Sequence, residues 1–260
     1  MRVGPQWLYM FMLYFLIFIF GLAIGSFLNV VICRLETNEP ILIGRSHCPK
    51  CRTILKWYDL IPVFSFIFYK GKCCYCGKKI SWQYPVVEIA TGLLFLLIFN
   101  FQFSIFNLIY YLIITCFLII IFVYDLKHYL ILDKIVFPGI IIAIIFNFLL
   151  LSESWQFSIL SAFGASLFFL LLVLVSKGKW MGLGDVKFAF LMGLILSWPN
   201  ILLGLFLSFF SGAIIGIILI LFGKKGLKSQ IPFGPFLVGA TVFIMLYGQY
   251  LNTWYYNMLF

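Results

Sequence analysis

The sequence predicts an all-α polytopic membrane protein of about eight transmembrane helices, with one small polar domain between helices 1 and 2. Three observations carry this. The 260 residues are 64% hydrophobic and only 10% charged, with a mean hydropathy of +1.14, where a soluble domain carries about 25% charged residues. The apolar residues fall in runs close to the ~20 residues that span a bilayer core. The charges lie between these runs. A water-soluble globule and a disordered chain are excluded by the same counts, and an outer-membrane barrel by the absence of strands that alternate apolar and polar residues.

The spans are read at about 7–33, 85–101, 104–124, 135–151, 156–176, 186–198, 201–222 and 233–255, the sixth being short. Threading the chain in and out places Arg34, Arg45, Lys50, Arg52, Lys56, Lys70, Lys72, Lys78 and Lys79 on one side, with Lys127, Lys134, Lys177, Lys179, Lys187, Lys224, Lys225 and Lys228. Only Arg2 lies opposite, so seventeen of eighteen basic residues share a face. That face is cytoplasmic by the positive-inside rule. The net charge of +10 therefore reads as topology and contact with anionic membrane lipid, and nucleic acid is not expected as a partner. The first apolar run is too long for a signal peptide, has only Arg2 ahead of it and is followed by no small-x-small cleavage site, so it reads as a retained helix. No internal repeat is visible.

The stretch 34–84 is the one connection long enough to hold a domain, yet about fifty residues cannot build a sufficient core by apolar burial alone. It contains two C-x2-C pairs, Cys48/Cys51 and Cys73/Cys76, separated by 21 residues. Four thiolates in two such knuckles match a tetrahedral structural zinc site. Disulfides are disfavoured in the reducing cytoplasm, and a thiol redox pair and plain cysteines are the competing readings. Cys74 forms only a C-x-C with Cys76, so Cys73 is the better ligand. Cys33 and Cys116 read as small buried hydrophobes, and His47 as an exposed loop histidine.

Each acid can be taken in turn. Glu36, Glu39 and Asp59 fall in the polar loop, where solvated faces or local ion pairs are the default. Glu153 sits in an outer turn, and Glu88 near the start of the second span complements a helix N-terminus. Asp125 ends the third span, Asp133 opens the fourth, where an ordinary N-cap competes with function, and Asp185 opens the sixth after Gly182-Leu183-Gly184. Ionisable groups at membrane depth are costly and face a cavity or a partner. Two carboxylates from different helices at one water boundary are the minimum equipment for aspartic peptide hydrolysis. Glycines at 182 and 184 let another backbone come close to the second carboxylate, either an extended peptide or a packed helix.

These residues resemble the bacterial prepilin peptidases, or type IV leader peptidases, a branch of the Gly-x-Gly-Asp membrane aspartic proteases. The resemblance runs over nearly the whole chain. It covers Gly25-Ser26-Phe27-Leu28-Asn29-Val30-Val31-Ile32, both cysteine pairs, Asp59-Leu60-Ile61-Pro62 and Ile80-Ser81-Trp82-Gln83-Tyr84-Pro85-Val86-Val87-Glu88. It continues through Asp125-Leu126-Lys127-His128, Gly182-Leu183-Gly184-Asp185-Val186-Lys187 and Ile231-Pro232-Phe233-Gly234-Pro235-Phe236. It implies cleavage of the basic leader of type IV prepilins or pseudopilins after a glycine, at the cytoplasmic face of the inner membrane, with Asp125 and Asp185 as catalysts. It also implies N-methylation of the new terminus with S-adenosylmethionine, for which no binding residue can be assigned. Gly182, Gly184 and Gly234 are the candidate substrate-binding residues. The chain then divides into a first helix, 1–33, a zinc-binding loop domain, 34–84, and a membrane peptidase domain, 85–260. The family's frequent Ile-Pro-Asp is Ile131-Leu132-Asp133 here, which weakens any role carried over to Asp133, and Cys74 is an extra cysteine. A zinc-stapled scaffold without chemistry and a transporter are the competing classes; a transporter would place its acids near mid-membrane.

Overall fold

The computed structural model describes residues 6–41, 43–101, 104–150, 155–223, 226 and 230–259. Arg2, Glu153, Lys224, Lys225 and Lys228 lie outside the described residues. Nine α-helices are found among the described residues: α1 (Gln6–Thr37), α2 (Phe64–Phe68), α3 (Gln83–Phe101), α4 (Ile105–His128), α5 (Asp133–Leu150), α6 (Trp155–Ser176), α7 (Leu183–Leu196), α8 (Asn200–Leu221) and α9 (Gly234–Leu259). All but α2 coincide with the eight expected spans to within a few residues. Six of them, α1, α3, α4, α6, α8 and α9, are long and apolar enough to cross a membrane. With 18 residues, α5 reaches about 27 Å, at the margin of a ~30 Å hydrocarbon core. Helix α7 has 14 residues and reaches only about 21 Å.

The chain divides within α4 into two compact units, Met1–Leu112 and Ile113–Phe260. In the first, α1 packs on α3 through a small-residue seam. A Cβ built at Gly21 would lie 2.7 Å from the Gly92 Cα, and one at Gly25 would lie 2.7 Å from the Glu88 Cα. Gly21 and Gly25 form a G-x-x-x-G pair, whose bare backbone lets two apolar helices touch where lipid offers no hydrophobic drive to associate. Just beyond the seam, the Asn29 amide donates to the Tyr84 carbonyl at 3.0 Å and accepts from the Gln83 amide at 3.3 Å.

At the end of α1 the side chain of Arg34 is buried, and its guanidinium donates to the carbonyls of Pro40, Ile41, Ile43 and Gly44 at 2.7–3.3 Å. Arg34 is therefore more than a topological charge: it folds the start of the loop around itself. Asp59 departs from the solvated-acid default in the same way. It accepts from the Lys56 amide at 3.0 Å, the Tyr69 hydroxyl at 3.1 Å and the Tyr75 hydroxyl at 3.0 Å. Burial works to raise its pKa, but these hydrogen bonds outweigh burial and hold the carboxyl below its usual range.

In the second unit α7 is the central element, packed by α5, α6, α8 and α9. Its residues from Phe188 to Leu196 are almost all buried, with Phe188, Ala189, Leu191 and Met192 fully so. A helix apolar on every side belongs in the interior. It reaches α6 so closely that a Cβ at Gly193 would collide with the backbone of Ser161 and Ala162. Near its end the Leu194 carbonyl, one of the four that a helix C-terminus leaves without an intrahelical donor, accepts from the buried Asn147 amide of α5 at 2.8 Å.

Gly193→Ala is expected to force α6 and α7 apart and lower the thermal midpoint of the detergent-solubilised protein. Gly164→Ala on α6, where a Cβ meets nothing within 4 Å, leaves the midpoint unchanged or raises it, since alanine is the better helix former by about 1 kcal/mol.

Candidate functional site

Asp125 stands in the last turn of α4, and only 4% of its surface is exposed. The first residue of α9, Gly234, lies against it: a Cβ at 234 would be 2.5 Å from the Asp125 Oδ2 and 2.9 Å from its Cγ. The Gly234 backbone approaches the carboxyl yet leaves Oδ2 buried with no hydrogen-bond partner among the described residues. Buried carboxylate oxygens are nearly always partnered, so one that is not calls for a functional explanation. Gly234 is itself held by its neighbour. The Phe233 ring packs at 5.0 Å on Phe209 of α8 and 6.2 Å on Phe169 of α6, and Pro235 follows in the first turn, where the missing N–H is no loss.

Asp185 is the third residue of α7, and its Oδ2 accepts the Gly182 N–H at 3.1 Å. A carboxylate there satisfies one of the orphan amides of the helix start. Asp185 lies near enough to Asp125 for the two charges to act on one another. The two candidate aspartates, one at the end of α4 and one at the start of α7, thus stand within electrostatic reach of one another.

The three candidate glycines separate by environment. A Cβ at Gly184 would sit 3.0 Å from the Ile131 Cβ, which is close packing, while one at Gly182 would meet nothing nearer than 3.9 Å. Gly234 abuts Asp125. Beside this site an open apolar groove of about 680 Å³ runs between α4, α8 and α9. Phe122 and Leu126, which flank Asp125 along α4, line one wall with Tyr129 just past the helix end, and Phe210, Pro235 and Phe236 line others.

The loop in the first unit carries the second candidate site. The ligand atoms of Cys48, Cys51, Cys73 and Cys76 lie within 4.8 Å of one another. A tetrahedral ion with metal–sulfur bonds of about 2.3 Å sets its sulfurs about 3.8 Å apart, so the cluster could hold a metal ion. Each pair sits in the same backbone knuckle. Cys48 N–H donates to the Thr53 carbonyl and Arg52 N–H to the Cys48 carbonyl; 25 residues on, Cys73 N–H donates to Lys78 and Gly77 N–H to Cys73. Arg52 and Gly77, the matching positions, both have positive φ, 56° and 68°. This is an internal repeat in hydrogen bonding that the letters do not display.

Hydrogen bonds from the side chain and backbone of Thr53 lower the Cys51 pKa to about 6, which favours the thiolate a metal requires. For Cys76, the Lys78 backbone favours the thiolate, but burial and the neighbouring sulfurs prevail and push it up to about 11. The opposition of the neighbouring sulfurs to a further thiolate at Cys76 is what a bound cation would relieve. Cys74 is exposed, outside the cluster, with its Sγ 3.7 Å from Asp59. His47 is also outside it, 3.7 Å from Glu39.

Two features escaped sequence reasoning. Glu88, read as a helix-start acid, is buried in α3 and accepts the Val63 N–H at 2.7 Å. Val63 has φ of 62°, a conformation a β-branched residue avoids, so a charge-assisted bond stabilises the strained start of α2. The Gly21–Gly25 seam is the second, and the signal that finds it is the G-x-x-x-G spacing in an apolar run.

Fold and sites together define a class: a multi-pass helical membrane protein with paired aspartates at helix ends and a four-cysteine knuckle domain. Residues 19–102 match the model of the bacterial Peptidase A24 N-terminal domain, and residues 112–217 that of the type IV leader peptidase family. The chain is 32% identical to a prepilin leader peptidase/N-methyltransferase of Bacillus subtilis, over 94% of this chain and 98% of that protein. It is 31% identical to the protein of the same name from Legionella pneumophila, over 95% and 96%, and 31% identical to that from Aeromonas hydrophila, over 97% and 95%. No solved structure matches. The chain belongs to the type IV leader peptidase family.

Protein purified without chelators is expected to carry about one divalent ion per chain. Cys48→Ser or Cys73→Ser removes it, while Cys74→Ser, Cys33→Ser and Cys116→Ser keep it, as read by elemental analysis.

Proposed function

We propose that this protein is a membrane aspartic endopeptidase that removes the basic leader of type IV prepilins or pseudopilins after a glycine. It works at the cytoplasmic face of the bacterial inner membrane and also N-methylates the new terminus. The single observation that supports this best is the buried Asp125 carboxyl, with one oxygen unpartnered, interacting electrostatically with Asp185. Two such groups cannot both ionise freely, so they share a proton and titrate as a pair.

The ionised partner takes a proton from water as the water oxygen bonds to the scissile carbonyl carbon. The protonated partner donates to the carbonyl oxygen, forming a neutral tetrahedral diol. Collapse breaks the C–N bond as a dyad proton passes to the leaving amine, and the other dyad member recovers a proton from the diol. Gly182, with open space around it, suits an extended substrate backbone beside Asp185. Gly184 contributes by drawing α7 onto Ile131, and Gly234 by leaving room for the Asp125 carboxyl. The apolar groove along α4, α8 and α9 has the character to receive the hydrophobic segment that follows the scissile bond.

In this assignment residues 85–260 form the peptidase and residues 34–84 a loop domain stapled by zinc on Cys48, Cys51, Cys73 and Cys76, the structural metal for four thiolates. S-adenosylmethionine supplies the methyl group, and the loop, being polar, is the part assigned to its binding.

Incubating the purified enzyme with a prepilin peptide, with and without S-adenosylmethionine, and weighing both fragments by mass spectrometry tests the assignment. Asp125→Asn and Asp185→Asn should each reduce cleavage about 10²- to 10⁴-fold while methylation of an already cleaved peptide stays measurable. Wild-type cleavage by either variant would overturn the peptidase assignment. Paired loss of Cys48 and Cys51 should lower methylation more than cleavage in protein that still inserts. Gly234→Ala, which drives a methyl group into the Asp125 carboxyl, should lower kcat up to about 10²-fold, the cost of a 1 Å misplacement.

A further inference from the structure

We propose that the ion pair between Asp133 and Lys187 positions Asp185, so that both residues set the turnover of the peptidase without touching its substrate; this rests on the assignment of Asp185 to catalysis. Asp133 opens α5, where on sequence alone an ordinary N-cap competes with function. Both of its carboxylate oxygens accept from the Lys187 Nζ, at 2.7 and 2.8 Å, and the same ammonium lies 5.6 Å from the centre of the Phe137 ring on α5. Lys187 stands two residues after Asp185 in α7. Helix positions i and i+2 point to different sides, so the ammonium faces α5 and is not the counter-ion of the aspartate pair.

Magnitude argues against a role in stability. The side chains of Lys187 and Asp133 are 35% and 55% exposed, and exposed pairs are worth about 0–1 kcal/mol. Their value is geometric. The far end of α7 is fixed by Gly193 against α6 and by the Asn147–Leu194 hydrogen bond. The near end is held on both sides of Asp185: Gly184 sits tightly on Ile131, and Lys187 grips Asp133 and Phe137. Asp185 itself is tied to the Gly182 N–H. The segment from Ile131 to Phe137 is thus a cradle for the first turn of α7. The Ile131 contact sets how closely the turn approaches, and the ion pair sets its rotation about the helix axis.

The test uses the full chain in lipid nanodiscs and a prepilin peptide, comparing Asp133→Asn, Lys187→Gln and the charge exchange D133K/K187D with Asp185→Asn. Each single variant should lower kcat about tenfold with KM within about twofold and an unchanged thermal midpoint. The exchange should recover most of the loss. Singles that turn over at the wild-type rate while Asp185→Asn is dead would overturn the positioning role and leave the peptidase assignment intact. Loss of kcat that tracks a fall in folded fraction, or an exchange no better than the singles, would also overturn it. An active Asp185→Asn would instead remove the catalytic assignment on which it rests.

Discussion

The approach of Gly193 to the Ala162 backbone is the contact on which the second unit depends. Between apolar helices in lipid there is no hydrophobic gain to be had from association, so close backbone packing and interhelical hydrogen bonds must supply it. A missing Cβ at 193 and small residues on the facing side of α6, including Ser158, Ser161, Ala162 and Ala165, let α7 sink until nearly all of its middle is buried. A 14-residue helix cannot cross a bilayer unaided. Enclosed by neighbours, it has no need to, and its start can carry a carboxylate away from lipid.

The first unit solves a different problem. Its loop lacks an apolar core and is organised by charged side chains, each matched to hydrogen-bond partners. Arg34 gathers four carbonyls, Asp59 collects an amide and two phenols, and Glu88 takes the amide of the strained Val63. Leaving any such group unmatched would cost more than the bond contributes when made. The two cysteine knuckles add a repeated hairpin-like turn that presents four sulfurs to one point. A divalent ion there would relieve the mutual repulsion of thiolates and fix both knuckles at once.

The Asp125 oxygen, the one ionisable carboxyl oxygen among the buried unpartnered atoms of the described residues, departs from this matching. Gly234 brings backbone close to it without completing its hydrogen bonds, and Phe233, locked among aromatic rings, keeps Gly234 in place. An unsatisfied buried acceptor beside a second carboxyl is poor for stability and well suited to holding a water or a peptide carbonyl. Elsewhere in the second unit Ser161, Ser176, Ser208 and Thr241 donate to carbonyls three or four residues back in their own helices, while the buried hydroxyls of Thr115 and Ser158 have no hydrogen-bond partner among the described residues.

Composition and spacing alone determined the solvent of this chain, its eight apolar helices, the sulfur set and the two candidate aspartates. These are properties of single segments: a run long enough for a bilayer, a pair of cysteines in one turn, an acid where an apolar run meets water. What only the tertiary structure decided are the pairings between segments. Gly184 proved to be a packing contact against Ile131, while Gly182 stands in the open, though both carry the same letter. Asp133 engages Lys187, which lies 54 residues away, in place of its own helix start. Arg34, counted as one charge among many, proved to be the pin of a loop. The backbone repeat of the knuckles stayed hidden because it resides in hydrogen bonds that dissimilar side chains can share. Each of these turns on how closely two helices or strands of loop approach, and that distance is set by the sum of all the packed neighbours, which no local pattern of residues contains.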